Sequence, residues 1–328
     1  MLRELNVQHR TLPLRSPFRI SRGVKLAADV VTVELGQAGC VGRGESVPYG
    51  RYGESVASVM DEIEMLREAL CAGMGRDELQ ARLPAGAARN AVDSALWDLE
   101  SRLSHVPVWT QLARPPHSPL VTALTVSIET PQEMGKAASR MANARLIKIK
   151  VDADDPVGRI EAVRNAAPSA RLIVDPNESW TIDILREVEP ALERASVSLL
   201  EQPLPAGADD ALQEFSSRIP LCADEACHTA SDLPSLLDRY QAVNIKLDKA
   251  GGLTEAWRML RDARAYGLTL MVGCMVCSSL GIAPALEIAR EADFIDLDGP
   301  LWLQSDHPEG LRLEDGLLLP PSPGFWGG

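Results

Sequence analysis

Lys150, Asp175, Glu201, Asp224 and Lys249 follow one another along this 328-residue chain at steps of 25, 26, 23 and 25 residues. Each stands at or just beyond the end of a short apolar run, such as Leu172-Ile-Val-Asp175 or Leu221-Cys-Ala-Asp224. A single acid in that place is adequately explained as a helix N-cap, because orphan N–H groups and the helix dipole favour negative charge there. Three in one register call for something more, since carboxylates brought together repel strongly unless a cation lies between them. An all-oxygen set without His or Cys favours a hard divalent ion, with Mg²⁺ first. Lysines that flank the three acids in chain order would stand on opposite sides of that ion. Such a pair suits taking a proton from one face of a carbon and returning one to the other. The carbon acid concerned lies beside a carboxylate and is very weak, so the charge it develops needs direct stabilisation by the metal.

The elements that must position these groups are legible from periodicity. In Arg145-Leu-Ile-Lys-Ile-Lys-Val-Asp152, Ile147, Ile149 and Val151 alternate with Lys148 and Lys150, the period of a strand, so both lysines share one face. Taken alone, that face is the wet side of a half-buried strand. Further apolar runs at 121–127, 172–174, 197–200, 221–223, 242–247, 268–272 and 294–297 alternate with helical patterns such as 183–194 and 254–266. Eight strands in this span, one βα unit per roughly 25–30 residues, predict a closed (β/α) TIM-type barrel; an open doubly wound sheet is the rival. One ionisable group per strand end then places the set around the mouth where barrel enzymes keep their chemistry. Phe294-Ile-Asp-Leu-Asp298 adds Asp296 and Asp298, two acids on one face at the last strand end, as gripping a single cation requires.

The first part of the chain reads as an α+β domain. Residues 5–14 and 29–35 look like the arms of a hairpin around a polar loop, Arg15-Ser-Pro-Phe-Arg-Ile-Ser-Arg-Gly-Val-Lys25, and Gly39-Cys-Val-Gly-Arg-Gly-Glu-Ser46 continues the sheet. Its glycines are spaced wrongly for a dinucleotide fingerprint. Helical spacing follows over 55–72 and 87–103, and Pro115-Pro116-His-Ser-Pro119 marks a boundary. We therefore expect domains at 1–115 and 116–300, with 301–328 returning to the first.

Composition excludes other classes. The net charge of −13 argues against nucleic acid, which demands basic faces. No apolar run is long enough to span a membrane, and the first ten residues lack the apolar core of a signal peptide. Six cysteines are too sparse for a disulfide scaffold, which points to a reducing cytoplasm. Oligomeric state is left open by the sequence, which is compatible with a homo-oligomer.

Lys148-Ile-Lys150, Asp175-Pro-Asn177, Glu201-Gln-Pro203, Ala223-Asp-Glu225 and Lys246-Leu-Asp-Lys-Ala-Gly-Gly252, in this order and spacing, resemble the enolase superfamily in its muconate-lactonizing branch. The resemblance implies a modified barrel with an N-terminal α+β capping domain. A Lys base working with Mg²⁺ is already known in that superfamily. By it, Lys150 and Lys249 are the acid/base pair, Asp175, Glu201 and Asp224 bind Mg²⁺, and Lys148 helps hold the substrate carboxylate. The Asp296-x-Asp298 motif is similar to the one dipeptide epimerases use for the substrate ammonium. The runs 83–90 and 243–249 look like those of bacterial L-Ala-D/L-Glu epimerases. The implied reaction is a 1,1-proton transfer through an enediolate on a dipeptide, in murein peptide recycling. In these enzymes a basic residue of the capping domain pairs with the Glu side chain; Arg22 is the candidate here and Lys25 the close second, with Thr125 as an extra polar contact. Pro176 replaces the usual Ala and Ala226 the usual Ser, departures that bear on hydrogen bonds around the ligands rather than on the ligands themselves.

Other motifs carry less. Cys274-Met-Val-Cys277 has no partner pair for zinc and is expected to line the pocket, where the missing His argues against the mandelate-racemase branch. His228, Trp302 and Trp326 read as packing residues. The rival functions are a cycloisomerase or o-succinylbenzoate synthase of the same branch, and a catalytically silent metal-binding barrel.

Overall fold

The computed structural model describes residues 2–141, 143–314 and 316–328. Three antiparallel strands open the chain in sequence order, β1 (Glu4–Ile20), β2 (Gly23–Gln37) and β3 (Cys40–Ser46). Residues 15–25 are not the loop expected from their polarity. They extend the β1–β2 hairpin, with Phe18 opposite Lys25, Arg19 opposite Val24 and Ile20 opposite Gly23, so that only Ser21 and Arg22 form the turn. The register slips between Pro13 and Phe18. Pro13 and Pro17 cannot donate to the ladder, and the pairing resumes beyond them in a shifted frame.

The helical stretch at 55–72 divides at Leu66 into α1 (Val56–Met65) and α2 (Arg67–Ala72). A further helix, α3 (Arg76–Arg82), precedes the long α4 (Ala87–Ser104), and α5 (Val108–Gln111) follows. Helix α4 lies directly on β3: a Cβ on Gly42 or Gly44 would collide with the backbone of Ala95 or Ala91. Gly42 and Gly44 therefore serve close helix–sheet packing, and the small residues of α4 are the other half of that contact.

The expected run at 121–127 is two strands. Leu120–Val121 (β4) pairs with Leu317 and Leu318 of the C-terminal segment, and Leu124–Val126 (β5) enters the barrel. Then come α6 (Pro131–Arg140), β6 (Leu146–Lys150), α7 (Pro156–Ala166), β7 (Arg171–Asp175), α8 (Ile182–Arg194), β8 (Val197–Glu201), β9 (Leu221–Ala223) and β10 (Ala242–Ile245). The chain continues with α9 (Leu247–Ala250), α10 (Leu253–Ala265), β11 (Thr269–Gly273), α11 (Ser279–Ile282), α12 (Leu286–Ala289) and β12 (Phe294–Asp296). β10 is shorter than expected because Leu247 already starts α9. Strands β5 to β12 lie side by side in sequence order, and the outer two meet where Ala123 N donates to Ile295 O at 2.7 Å. This is the parallel barrel, not the open sheet.

Inside it, Ala123, Leu146, Ile173, Leu199, Cys222, Ala242, Met271 and Phe294 form one buried apolar cluster. Each strand thus contributes a floor residue, Ala123 standing just before β5. Because strand side chains alternate, the residue two places on from each floor residue points into the same interior, one layer nearer the mouth. Those residues are Thr125, Lys148, Asp175, Glu201, Asp224, Asn244, Gly273 and Asp296. The polar layer is set on an apolar floor by period alone.

β13 (Arg312–Glu314) and β14 (Leu317–Leu319) complete a three-stranded sheet with β4. The last residues reach the first domain, where Trp326 Nε1 donates to the carbonyls of Arg43 at 3.0 Å and Ser94 at 3.2 Å. A polar seam joins α4 to the barrel. Asp248 accepts from Val47 N and from Asn90 Nδ2, both at 2.9 Å, while Arg89 donates to the carbonyls of Ala250 at 2.7 Å and Gly251 at 3.1 Å. The runs 83–90 and 243–249 are thereby partly accounted for as two sides of one joint. Among the described residues no helix is long and apolar enough to cross a membrane.

Candidate active site

Thr125, Lys148, Lys150, Asp296 and Asp298 line one cleft at the barrel mouth, roofed by Phe18, Ile20, Arg22 and Lys25 of the hairpin and by Tyr49 and Tyr52. Asp175, Glu201 and Asp224 are buried and lie among the lysines of that mouth. The row is bracketed as its spacing implied. Lys150 Nζ lies 2.5 Å from Asp175 Oδ2 at one end, and Lys249 Nζ lies 2.7 Å from Asp224 Oδ1 at the other. Lys249 is held further by the carbonyls of Asp224, Cys227 at 2.8 Å and Asn244 at 2.9 Å. Lys148 sits in the middle, 2.7 Å from Asp296 Oδ2 and from Glu201 Oε2 and 3.1 Å from Asp175 Oδ2.

Burial disfavours every one of these charges, and their neighbours decide which survive. Lys150 and Lys148 outweigh burial at Asp175 and bring its pKa down to about 2. Lys246 and Lys249 do the same for Asp224, well below the usual carboxylate range. Glu201 goes the other way, up to about 7, because burial and the Asp175 charge both act against its ionised form. Lys148 stays firmly protonated: burial works against it, but Asp296, Glu201 and Asp175 more than offset that.

Among the described residues no three acid, imidazole or thiol side chains already enclose a space for an ion. The ammonium of Lys148 supplies positive charge to the acids instead. The donor set nevertheless fits Mg²⁺ in its chemistry: three carboxylates at the ends of three consecutive strands, all of them oxygen donors. Asn244 Nδ2 occupies Glu201 Oε1 at 2.8 Å, and Asn177 N occupies Asp175 Oδ1 at 2.8 Å, orienting both acids. Glu201 Oε2 is buried and, although close to Lys148, receives no aligned hydrogen bond. A hard cation would satisfy such an oxygen.

At the far wall, Asp298 Oδ2 accepts from Thr125 N at 2.7 Å. Burial and the neighbouring Asp296 charge push the Asp298 carboxyl up to about 7. Asp296 Oδ1 is buried with no hydrogen-bond partner among the described residues. Lys148 holds the other oxygen of Asp296, so the pair keeps one open acceptor for a second cation.

Arg22 and Lys25 separate clearly. Arg22 is committed to Glu225 at 2.7 Å, Glu178 at 3.0 Å, the Asn177 carbonyl at 3.0 Å and the Tyr49 hydroxyl at 3.1 Å. Lys25 Nζ lies over the Tyr49 ring, 4.8 Å from its centre. Burial lowers its pKa, and among the described residues it makes no ion pair.

Several site residues escaped the sequence reading. Lys246 Nζ lies 2.6 Å from Asp224 Oδ2, and Glu225 reaches the cleft beside it. The signal for Lys246 was present, since it stands just past β10, two places after Asn244, as Lys150 stands two places after Lys148. Trp302, read as packing within the tail, meets the ring of Phe18 edge-on at 4.6 Å and lines the mouth. Cys274 lines the cleft too, with all six thiols free. His228 packs edge-on against Tyr52 at 4.5 Å.

Residues 2–112 match the mandelate racemase/muconate lactonizing enzyme N-terminal domain, and residues 133–325 match the enolase C-terminal domain-like family. The chain belongs to the enolase superfamily. Among its relatives is the L-Ala-D/L-Glu epimerase of Escherichia coli K12, 47% identical over 97% of this chain and 99% of that protein. Among solved structures, an enolase family member from Agrobacterium tumefaciens with homology to dipeptide epimerases, holding sodium and L-Ala-L-Glu, superposes with a TM-score of 0.97. It is 46% identical and covers 99% of this chain and 100% of its own. The dipeptide epimerase of Enterococcus faecalis, complexed with Mg and L-Leu-L-Tyr, superposes with a TM-score of 0.90 at 27% identity, covering 98% of this chain and 97% of its own.

Proposed function

We propose that this enolase-superfamily protein is a Mg²⁺-dependent dipeptide epimerase that inverts the α-carbon of the C-terminal residue of L-Ala-L-Glu. The observation that carries the reading is the acidic pair Asp296 and Asp298, with a carboxylate oxygen lacking a partner, in the same cleft as Lys150. A free α-ammonium satisfies that pair, and dipeptides have one. Asp175, Glu201 and Asp224 would hold Mg²⁺, which when bound offsets their repulsion and stabilises the negative charge that develops on the substrate carboxylate.

The protein's own groups do the rest. Lys148 holds the substrate carboxylate by charge. One flanking lysine, as the neutral amine, takes the α-proton from its face of the carbon, and the electron pair moves into the carboxylate to give the enediolate. The ammonium of the other lysine then protonates the opposite face. Asp296, Asp298 and Thr125 position the substrate's amino end. Lys25, the hairpin cation with no ion pair, is the better partner than Arg22 for the Glu side chain. The murein-recycling role and cytoplasmic location go with this substrate. The primary test is incubation of L-Ala-L-Glu in D₂O with Mg²⁺, following α-proton exchange by NMR and epimer formation by chromatography.

Three outcomes discriminate further. Asp296→Asn should lower kcat/KM for L-Ala-L-Glu by about 10- to 100-fold, the worth of a charge-assisted hydrogen bond. A cycloisomerase or o-succinylbenzoate synthase substrate has no ammonium, so unchanged turnover in Asp296→Asn would favour that rival. In the native protein KM should fall as pH rises through about 7, because Asp298 loses its proton there and gains charge for the ammonium. That limb should be absent from Asp298→Asn. Lys25→Met should raise KM for L-Ala-L-Glu by about 10-fold or more while sparing L-Ala-L-Leu. Equal losses on both dipeptides would remove Lys25 from the specificity role.

A further inference from the structure

We propose that Glu178 is a positioning residue that latches the β1–β2 hairpin onto the barrel mouth, engaging Arg22 so that Lys25 is the cation left to face the substrate. The last clause rests on the dipeptide reading; the latch itself does not.

Asn177 and Glu178 are consecutive non-glycine residues with φ of 47° and 68°, the left-handed region that L-residues seldom occupy twice in succession. Such backbone persists only where its surroundings hold it. Within the barrel Glu178 N donates to the Gln202 carbonyl at 2.9 Å, and further holding groups come from outside it. The Glu178 side chain is 7% exposed. Its Oε2 accepts from Arg22 Nη1 at 3.0 Å and Arg51 Nε at 2.9 Å, and its Oε1 accepts from Arg51 Nη2 and Ala206 N, both at 2.8 Å. Four donors from three segments converge on one carboxylate: the hairpin turn, the single-turn helix Gly50–Tyr52 and the loop after β8. The Asn177 carbonyl, turned outward by the left-handed backbone, accepts from Ser21 Oγ and Arg22 Nη1, each at 3.0 Å.

A second anchor fixes the same hairpin on the loop after β5. Arg19 N donates to Ser127 Oγ at 2.6 Å, and the Arg19 carbonyl accepts from Ser127 Oγ at 3.0 Å. With the tip tied at two loops, Lys25 and Phe18, opposite one another in the ladder, both line the cleft. Glu178 does not line it. Its influence on substrate therefore runs through the hairpin. Because the carboxylate is mostly buried and its donors include a two-pronged guanidinium, the contact is stronger than a surface ion pair.

The test uses the full chain without substrate. Trypsin cleavage at Arg22 and Lys25 reports opening of the tip, because cleavage follows the population of the opened segment. Glu178→Ala should be cut there about fivefold faster or more, with the melting temperature of the whole protein nearly unchanged. Glu178→Gln keeps an acceptor and should recover part of the protection. Arg51→Ala should act in the same direction, and the double variant should be little worse than Glu178→Ala alone, as partners in one contact are non-additive. On L-Ala-L-Glu, Glu178→Ala should raise KM about tenfold and leave kcat within about threefold, as loss of positioning for binding requires. Unchanged cleavage in both Glu178→Ala and Arg51→Ala overturns the latch. A loss confined to kcat, with KM unchanged, also overturns it, since that would place Glu178 in the chemistry. Should Glu178→Ala fail to fold, Arg51→Ala decides alone. If the native protein exchanges no dipeptide α-proton, the substrate reading fails, yet the cleavage comparison still decides the latch.

Discussion

Lys150→Ala and Lys249→Ala are each expected to abolish epimerisation of L-Ala-L-Glu, with losses at or beyond the ~10²–10⁴-fold typical of removing a positioned general acid or base. The geometry makes the two losses different in kind. Lys150 and Lys249 are anchored on Asp175 and Asp224, at opposite ends of the acid row. In the proposed reaction each would therefore serve one face of the α-carbon. A variant lacking one lysine still has the other, so it should exchange the α-proton of one epimer with D₂O while forming none of the other. The complementary variant should exchange the opposite epimer. Measuring exchange and epimer formation separately, by NMR and chiral chromatography, tests this directly. Normal epimerisation by Lys249→Ala would sink the two-base scheme. Loss of exchange from both epimers in both variants would mean that neither lysine deprotonates the α-carbon without the other, against the assignment of one lysine to each face.

Glu201→Gln is the second large effect. Glu201 is the middle acid of three, and its pKa of about 7 reflects burial plus repulsion from Asp175. Neutralising it relieves that repulsion, so the metal-free variant should be no less stable than the native protein, and removal of Mg²⁺ by chelation should inactivate the native enzyme reversibly. Saturating Mg²⁺ stabilises a folded protein that binds it, by about 2.7 kcal/mol when the ion stands at a hundred times its Kd. The native protein should therefore melt at a higher temperature with Mg²⁺ than without, and Glu201→Gln should lose most of that increment together with activity. A Mg²⁺-dependent rise in melting temperature that survives Glu201→Gln would put the ion elsewhere. This readout does not depend on turnover, so it separates failure to bind the ion from failure of the chemistry.

Both effects were foreseeable from the sequence. Lys148, Lys150, Asp175, Glu201 and Asp224 were legible in the sequence because their placement follows from local rules. Strand side chains alternate with a period of two, and a βα unit has a nearly constant length. A residue two places beyond an apolar floor residue must enter the same interior one layer higher, wherever the strand sits. The same rules identified all eight barrel strands and the acidic pair Asp296 and Asp298. Lys246 was missed although it obeys them, because Lys249 drew the reading to the later position in the same segment.

Other features depend on pairing and packing that side-chain polarity does not reveal, and some of these contacts join residues more than 100 positions apart. The polar composition of residues 15–25 predicted a loop; the ladder with β2 made it strand, because pairing satisfies backbone N–H and C=O groups whatever the side chains prefer. Val121 was drawn into a different sheet by Leu317, 196 positions away. Trp302 became a wall of the mouth when Phe18 packed against it.

Arg22 and Lys25 show the division most sharply. As residue types they are nearly equal candidates, three positions apart on one hairpin. Glu178 and Glu225, on the loops after β7 and β9, engage the guanidinium, whose several donors match two carboxylates at once. The point-like ammonium of Lys25 is left facing the cleft. The chemistry at the strand ends was thus determined by the sequence through strand periodicity. Which of the two cations is left without an ion pair among the described residues was decided only by the tertiary structure, because the competing carboxylates arrive from elements more than 150 residues away.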